Sequence, residues 1–283
     1  MENQQVWFVT GASKGLGLIL VQQLLKAGHQ VAATSRKRED LIEAAGIGNS
    51  ANFLALEVSL TDETQVRDSI AETIRVFSKI DVVVNNAGYG QVGTLEELSD
   101  SEARKNFDIN VFGALNVIRY VMPHLRAQRS GKIFNIASVG GFSGNFPGWG
   151  IYCATKFAVA GFTESLAAEA KSFGISATVV YPGYFRTNFL SKESLTVPAN
   201  PIAAYKEARE GQQAHEQEIN GNQPGDPQKG VSVLIKMAAE NSLPVHLFLG
   251  QDAYKMAAEK IRTIQTDLTA WESLAISTNF DVN

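Results

Sequence analysis

Two hydrophobic rhythms alternate along most of this chain. Short runs apolar at nearly every position are "VWFVT" (6–10), "QVAATS" (30–35), "NFLALEV" (52–58), "DVVVNNAG" (81–88), "GKIFNIAS" (131–138), "SATVVYPG" (176–183) and "PVHLFLG" (244–250). Between them lie stretches with apolar residues at helical spacing: 16–28, 62–77, 107–125, 152–173, 228–240 and 253–274. Runs without polar alternation belong to strands buried on both faces, as in a parallel sheet covered by helices. The pattern predicts one α/β domain over residues 1–283, a doubly wound parallel sheet of about seven strands with helices on both faces. Local signals mark several helix ends. Gly28 stops the first helix, Ser99 and Glu102 form a capping box, and Asp226-Pro227 opens the helix at 228. The least regular stretch, 189–225, follows the sixth strand. It reads as a disordered link or as a lid with its own short helices; its place past a strand's C-terminal end points to a lid spanning about 185–227.

Composition changes this picture little. Of 283 residues, 45% are hydrophobic and 19% charged, with a formal net charge of −4. That is ordinary globular composition, and it gives nucleic-acid binding no bulk electrostatic support. The one cysteine, Cys153, excludes an intrachain disulfide and a cysteine metal cage, and reads as apolar packing. No run approaches the roughly 18 apolar residues of a membrane span, and the N-terminus has no signal-peptide pattern, so a cytoplasmic setting is expected. The histidines His29, His124, His215 and His246 show no metal-ligand spacing and read as surface or cap residues; no metal site is expected.

Candidate chemistry begins right after the first strand. "TGASKGLG" places Gly11, Gly15 and Gly17 at a strand-to-helix turn. Missing side chains let the backbone approach a pyrophosphate, while the helix N-terminus offers N–H donors and a favourable dipole. The second strand ends at Ser35 and Arg36, where an NAD site usually carries an acid for the ribose 2′-OH. A guanidinium there suits a 2′-phosphate, and Lys14 in the glycine loop adds a second cation. The cofactor expected is NADP(H), with NAD(H) as the alternative. The competing reading is that Arg36 to Arg38 open a solvated helix balanced by Glu39 and Asp40. Further on, "IYCATKF" sets Tyr152 and Lys156 one helical turn apart on one face. Alone, such a pair is as ordinary as two amphipathic surface residues.

Together these segments resemble the short-chain dehydrogenase/reductases over nearly the whole chain, a family with the Rossmann fold. "TGASKGLG", with Gly11, Ser13, Lys14, Gly15, Leu16 and Gly17, is similar to the family's coenzyme motif. "NNAG", ending Asn86, Ala87, Gly88, is similar to its central turn beside the adenine and ribose. Glu57-Val58 stands where the family often has Asp-Val holding the adenine. Asn110, Ser138, Tyr152 and Lys156 match its catalytic tetrad, and Pro182, Gly183 and Thr187 the segment lining the nicotinamide. The C-terminal half is similar to a subgroup resembling 17β-hydroxysteroid dehydrogenases. The resemblance implies that Tyr152 exchanges the proton at the substrate oxygen. Lys156 would lower its pKa and hold the cofactor ribose. Ser138 would polarise the carbonyl, and Asn110 would hold a water from a local helix kink. Phe142, Phe146, Trp149, Tyr184, Phe185 and Phe189 would then surround the site and favour a small apolar carbonyl or alcohol. A homodimer or homotetramer, without nucleic acid or membrane, is implied as well. An oxidoreductase is the leading reading; a redox sensor that binds dinucleotide without turnover is the alternative from another class.

Overall fold

The computed structural model describes residues 4–47 and 50–280; the outer ends of the expected 1–283 domain lie outside them. Nine strands occur among these residues: β1 (Val6–Val9), β2 (Gln30–Ser35), β3 (Phe53–Glu57), β4 (Val82–Asn85), β5 (Gly90–Gln91), β6 (Gly131–Ile136), β7 (Ile175–Pro182), β8 (Leu195–Thr196) and β9 (His246–Leu249). Seven form one sheet in the order β3-β2-β1-β4-β6-β7-β9, parallel throughout. The two-residue strands β5 and β8 pair separately. Strand order reverses at β1, which has β2 on one side and β4 on the other. Ligands of such sheets bind at the carboxyl ends of the strands flanking that reversal.

The all-apolar strands bury both faces, with the two-residue alternation of β structure. Trp7 and Val9 face one layer, where they meet Leu20, Val21 and Leu24 of α1 (Gly15–Lys26) and Val231, Leu234 and Ala238 of α8 (Pro227–Ala239). Val6 and Phe8 face the other. They meet Val66 and Ile70 of α3 (Glu63–Phe77), Val117 and Val121 of α5 (Gly113–Gln128) and Leu166 of α6 (Gly150–Ala170). Each large apolar side chain removed from water contributes about 1.5–3 kcal/mol, so the sheet is a rigid platform for loops at its C-terminal edge.

The local end signals act as read. Gly28 takes φ +85° after α1. Ser99 and Glu102 close a reciprocal capping box on α4 (Asp100–Phe107). The Asp226 carboxylate accepts from Gln228 and Lys229 N–H ahead of α8. The structure adds detail in three stretches. The basic run leads into α2 (Arg38–Ala45), with Arg36 and Lys37 ahead of it. The helix expected over 107–125 is broken by a π turn, Asp108–Phe112, between α4 and α5. The irregular stretch after β7 is folded: a 3₁₀ turn at Asn188–Leu190, β8, then α7 (Lys206–Ala214) and a second π turn, His215–Ile219. The last helix, α9 (Gln251–Ile276), has 26 residues.

Candidate active site

The glycine loop after β1 and the turn after β4 are fastened to each other. The Asn86 side-chain amide donates to the carbonyls of Thr10 (3.0 Å) and Gly11 (2.9 Å), and Thr10 Oγ1 accepts from the N–H groups of Asn86 and Ala87. A Cβ on Gly11, which has φ +65°, would stand 2.7 Å from Ala87 Cα. One on Gly17 would stand 2.5 Å from Asn86 Nδ2. Only glycine permits this approach. The helix that follows has no side-chain N-cap, since Lys14 occupies that position, whereas α3, α4 and α8 are capped by Asp62, Ser99 and Asp226. An uncapped N-terminus under a glycine-rich loop fits a bound pyrophosphate. Ser13 and Leu16 sit half-buried in the same loop.

At the end of β2, Ser35 is buried and its hydroxyl accepts the Lys37 N–H at 3.4 Å. Because α2 starts only at Arg38, Arg36 stands in the intervening turn, exposed and without a hydrogen-bond or ion-pair partner among the described residues. Arg38, by contrast, is spent on the Ala55 carbonyl (3.2 Å). Val58 is buried, with its N–H on Ser35 O, and the Glu57 carboxylate accepts the Arg38 N–H at 3.3 Å. Lys14 is engaged with a distant segment. Its ammonium donates to the Glu193 carbonyl (2.9 Å) and lies 3.6 Å from the Glu193 carboxylate, so it bridges to the segment after β7 instead of standing free beside Arg36.

Asn110, Ser138, Tyr152 and Lys156 come from three segments and converge. The π turn inserts one residue and turns Asn110 inward. Its Oδ1 accepts the Tyr89 N–H (3.0 Å), and its Nδ2 donates to Tyr89 O (3.0 Å) and Thr155 Oγ1 (3.1 Å). Gly88 passes directly over this point: a Cβ there would lie 3.0 Å from Asn110 Oδ1 and 3.4 Å from Lys156 Nζ. Ser138 follows β6, where its Oγ accepts the Gly140 N–H at 3.1 Å and stands near enough to the Tyr152 phenol to oppose the rise of its pKa. Lys156 Nζ donates to the Ile136 carbonyl (2.9 Å) and lies 5.8 Å from the Tyr152 ring centre. Burial lowers the Lys156 pKa to about 8. It also drives the Tyr152 phenol far above its ordinary value, opposed by the Ser138 hydroxyl. Desolvation dominates at Tyr152, and the Lys156 ammonium is turned to the Ile136 carbonyl. Cys153, beside Tyr152, is buried with its thiol raised to about 11, as an inert packing residue would be.

The six aromatic candidates separate into two groups. Phe146, Trp149 and Phe189 pack with Tyr152, Leu190 and Leu195; the Trp149 and Phe189 ring centres lie 5.6 and 5.8 Å from that of Tyr152. Tyr184 is near enough to Tyr152 to affect its titration. Phe142 and Phe185 do not line the site. Phe142 stacks edge-on against Tyr181 and Phe248 at the sheet edge, and Phe185 enters the core beside Gly230 of α8. Two residues were missed. His215 does not sit apart on the surface: it packs on Trp149 (4.9 Å), its Nδ1 meets the Gly211 carbonyl (2.7 Å) and its Nε2 meets the Tyr184 hydroxyl (2.9 Å). A carbonyl only accepts, so Nδ1 carries the hydrogen of that contact. No spacing signals a contact between residues 31 apart. Asp252 holds the corner after β7, accepting the Tyr184 N–H at 2.6 Å and filling the space where Gly183 lacks a side chain. Pro182 is buried at the end of β7, and Thr187 faces Gly15 across the loop.

No helix of the described residues is long and apolar enough to cross a membrane, and no cluster of three or more His, Cys, Asp or Glu among them could hold a metal. The sequence model of the short chain dehydrogenases matches residues 5–197. A short-chain dehydrogenase from Streptomyces avermitilis superposes with a TM-score of 0.88 at 33% identity, covering 98% of this chain and 100% of that one. A 3-ketodihydrosphingosine reductase of Bacteroides thetaiotaomicron is 34% identical over 87% of this chain and 88% of its own. ElxO, solved with NADP bound, superposes at a TM-score of 0.71 and 26% identity, over 87% of this chain and 96% of its own.

Proposed function

The chain belongs to the short-chain dehydrogenase family, and from that premise we propose that it is an NADP(H)-dependent oxidoreductase interconverting a carbonyl and an alcohol on an apolar substrate. The observation that carries this reading is the buried Tyr152 phenol, beside Ser138 and one turn from a buried lysine, packed against Phe146, Trp149 and Phe189. The glycine loop, Asn86 to Gly88 and Ser35-Arg36 hold the dinucleotide; the free guanidinium of Arg36 supports the choice of a 2′-phosphate, as does the NADP bound to ElxO. When bound, a nicotinamide supplies or accepts the hydride.

In the reductive direction Tyr152 donates its proton to the substrate oxygen. Burial favours the neutral phenol, the form needed for donation. The Ser138 hydroxyl orients that oxygen, and the Lys156 ammonium stabilises the phenolate left behind. With a pKa of about 8, Lys156 is charged at neutral pH yet able to pass on a proton. Reduction therefore declines as pH rises through about 8. Phe146, Trp149, Phe189, Leu190 and Leu195 suit a hydrophobic substrate body. The Bacteroides relative is named a 3-ketodihydrosphingosine reductase, which supports a ketone as the group reduced. Association into a homodimer or homotetramer is supported by Phe112 and Phe157, exposed on the π turn and α6.

Purified protein supplied with NADPH or NADH and a panel of long-chain ketones, steroid ketones and aldehydes tests the reading. NADPH oxidation with at least one apolar carbonyl is expected. Tight NADPH binding with no turnover of any panel member would turn it toward the redox-sensor alternative.

A further inference from the structure

The end of α9 leaves the body of the molecule. Ala253 and Ala257 are buried where the helix docks beside β9, but every residue from 261 to 280 is exposed. The free helical part runs to Ile276, roughly 24 Å at 1.5 Å per residue. A helix of that length is marginal alone in water. It also carries an apolar seam: Ile261, Ile264, Leu268 and Trp271 are 43–64% exposed. Their spacing of three, four and three residues continues forward to Ala275, the a/d repeat of a coiled coil, and the exposed Tyr254 lies one heptad before Ile261, with the intervening Ala257 turned to the body of its own copy.

We propose that this seam is a two-fold contact between two copies of the chain, with the α9 ends packed antiparallel. Charge decides the orientation, since flanking charges set the direction of such pairs. Parallel pairing would put Asp267 against Glu272 of the second copy, twice. Antiparallel pairing with Ile261 opposite Ile264 of the second copy puts Lys260 opposite Asp267 of the second copy, twice. It also brings Trp271 of the second copy onto the exposed Tyr254, which already meets Phe248 edge-on at 6.1 Å. A membrane surface fits less well. Such helices are rich in Lys and Arg on the polar face, whereas α9 sets Lys255, Lys260 and Arg262 against Asp252, Glu259, Asp267 and Glu272.

The full chain is tested by light scattering after size exclusion, with circular dichroism alongside. Leu268→Asp, on an exposed site, halves the mass, whether from dimer to monomer or tetramer to dimer, and lowers helix content as the freed end frays. Lys260→Asp also halves the mass, and Lys260→Asp with Asp267→Lys restores it. Unchanged mass in Leu268→Asp overturns the contact. A Lys260→Asp protein that stays assembled overturns the antiparallel register. Wild-type chain that is a single copy in solution and sediments with anionic phospholipid vesicles overturns the proposal in favour of a membrane.

Discussion

The two halves of the candidate site are built in opposite ways. The half that faces the dinucleotide stands on strand ends: Gly11 to Gly17 follow β1, Ser35 and Arg36 close β2, Asn86 to Gly88 follow β4 and Ser138 follows β6. Its geometry is backbone geometry, fixed by hydrogen bonds and by approaches only glycine allows. The half that faces the substrate is assembled from Trp149 at the start of α6, Tyr184 and Phe189 after β7, and His215 beyond α7. It is held by side chains meeting across tens of residues. The first half can therefore run the same chemistry while the second is rebuilt for another substrate.

The largest expected effect tests where the chemistry sits. Tyr152→Phe removes one hydroxyl and leaves the backbone of the dinucleotide half untouched. Turnover should fall by roughly 10²–10⁴-fold, the usual worth of a positioned proton donor, while NADPH affinity by fluorescence titration stays within a few-fold. Turnover near that of the wild type would remove Tyr152 from the proton step and dissolve the division between halves.

Lys156 serves both halves, and its burial has a cost. An ammonium held at a pKa of about 8, against an ordinary 10.5, destabilises the cofactor-free fold at neutral pH. Lys156→Met should abolish most activity yet stabilise the cofactor-free protein by on the order of 3 kcal/mol, less whatever the lost bond to Ile136 contributes. Between about pH 8 and the ordinary lysine value the folded state binds fewer protons than the unfolded one, so wild-type stability rises relative to the variant there. Urea unfolding of both proteins across that range measures the difference. A variant less stable than wild type at pH 7, or a constant gap, would mean the buried charge is compensated.

The legibility of the sequence follows the same division. All seven main-sheet strands showed as apolar runs, and the glycine loop and the capping box showed as local patterns, because each is set by neighbours within a few positions; the tetrad, spread over three segments, was legible only through its resemblance to a family motif. Arg36 was readable as a free cation; that Lys14 is tied to Glu193 was not, since that pairing spans 179 residues. Phe142 and Phe185 were placed with the substrate from their position in the chain alone. Which way each ring points depends on whether α8 and β9 offer it a gap, and no local pattern encodes that. The resemblance implied a kink at Asn110, but the extent of the π turn that makes it was hidden because the helical rhythm continues through it.

Within the dinucleotide half, Arg36→Ala should weaken NADPH binding about tenfold, the scale of one charge-assisted contact, and leave NADH binding about unchanged. The NADPH preference should also shrink as salt rises. Equal loss for both cofactors would place Arg36 in the fold of the loop instead of at the phosphate.

The smallest effect isolates the substrate half. The solvent-inaccessible Glu97 carboxylate anchors the lid, pairing with Arg209 of α7 at 2.8 Å and accepting the Ile202 N–H at 2.8 Å. Burial alone would raise its pKa, but the N–H groups of Thr94 and Ile202 and the Arg209 charge outweigh that and hold it below 4.5. A depressed carboxylate contributes stability at neutral pH and loses it as pH falls through its folded value. Amide exchange should therefore accelerate over 197–214 as pH drops below the ordinary glutamate range, after correction for intrinsic exchange, with β1 and α1 still protected. Glu97→Gln, which cannot pair with the Arg209 cation, should show the same loosened lid already at neutral pH. If lid and glycine loop instead lose protection together, the two halves open as one unit, and rebuilding the lid for a new substrate would disturb the dinucleotide site as well.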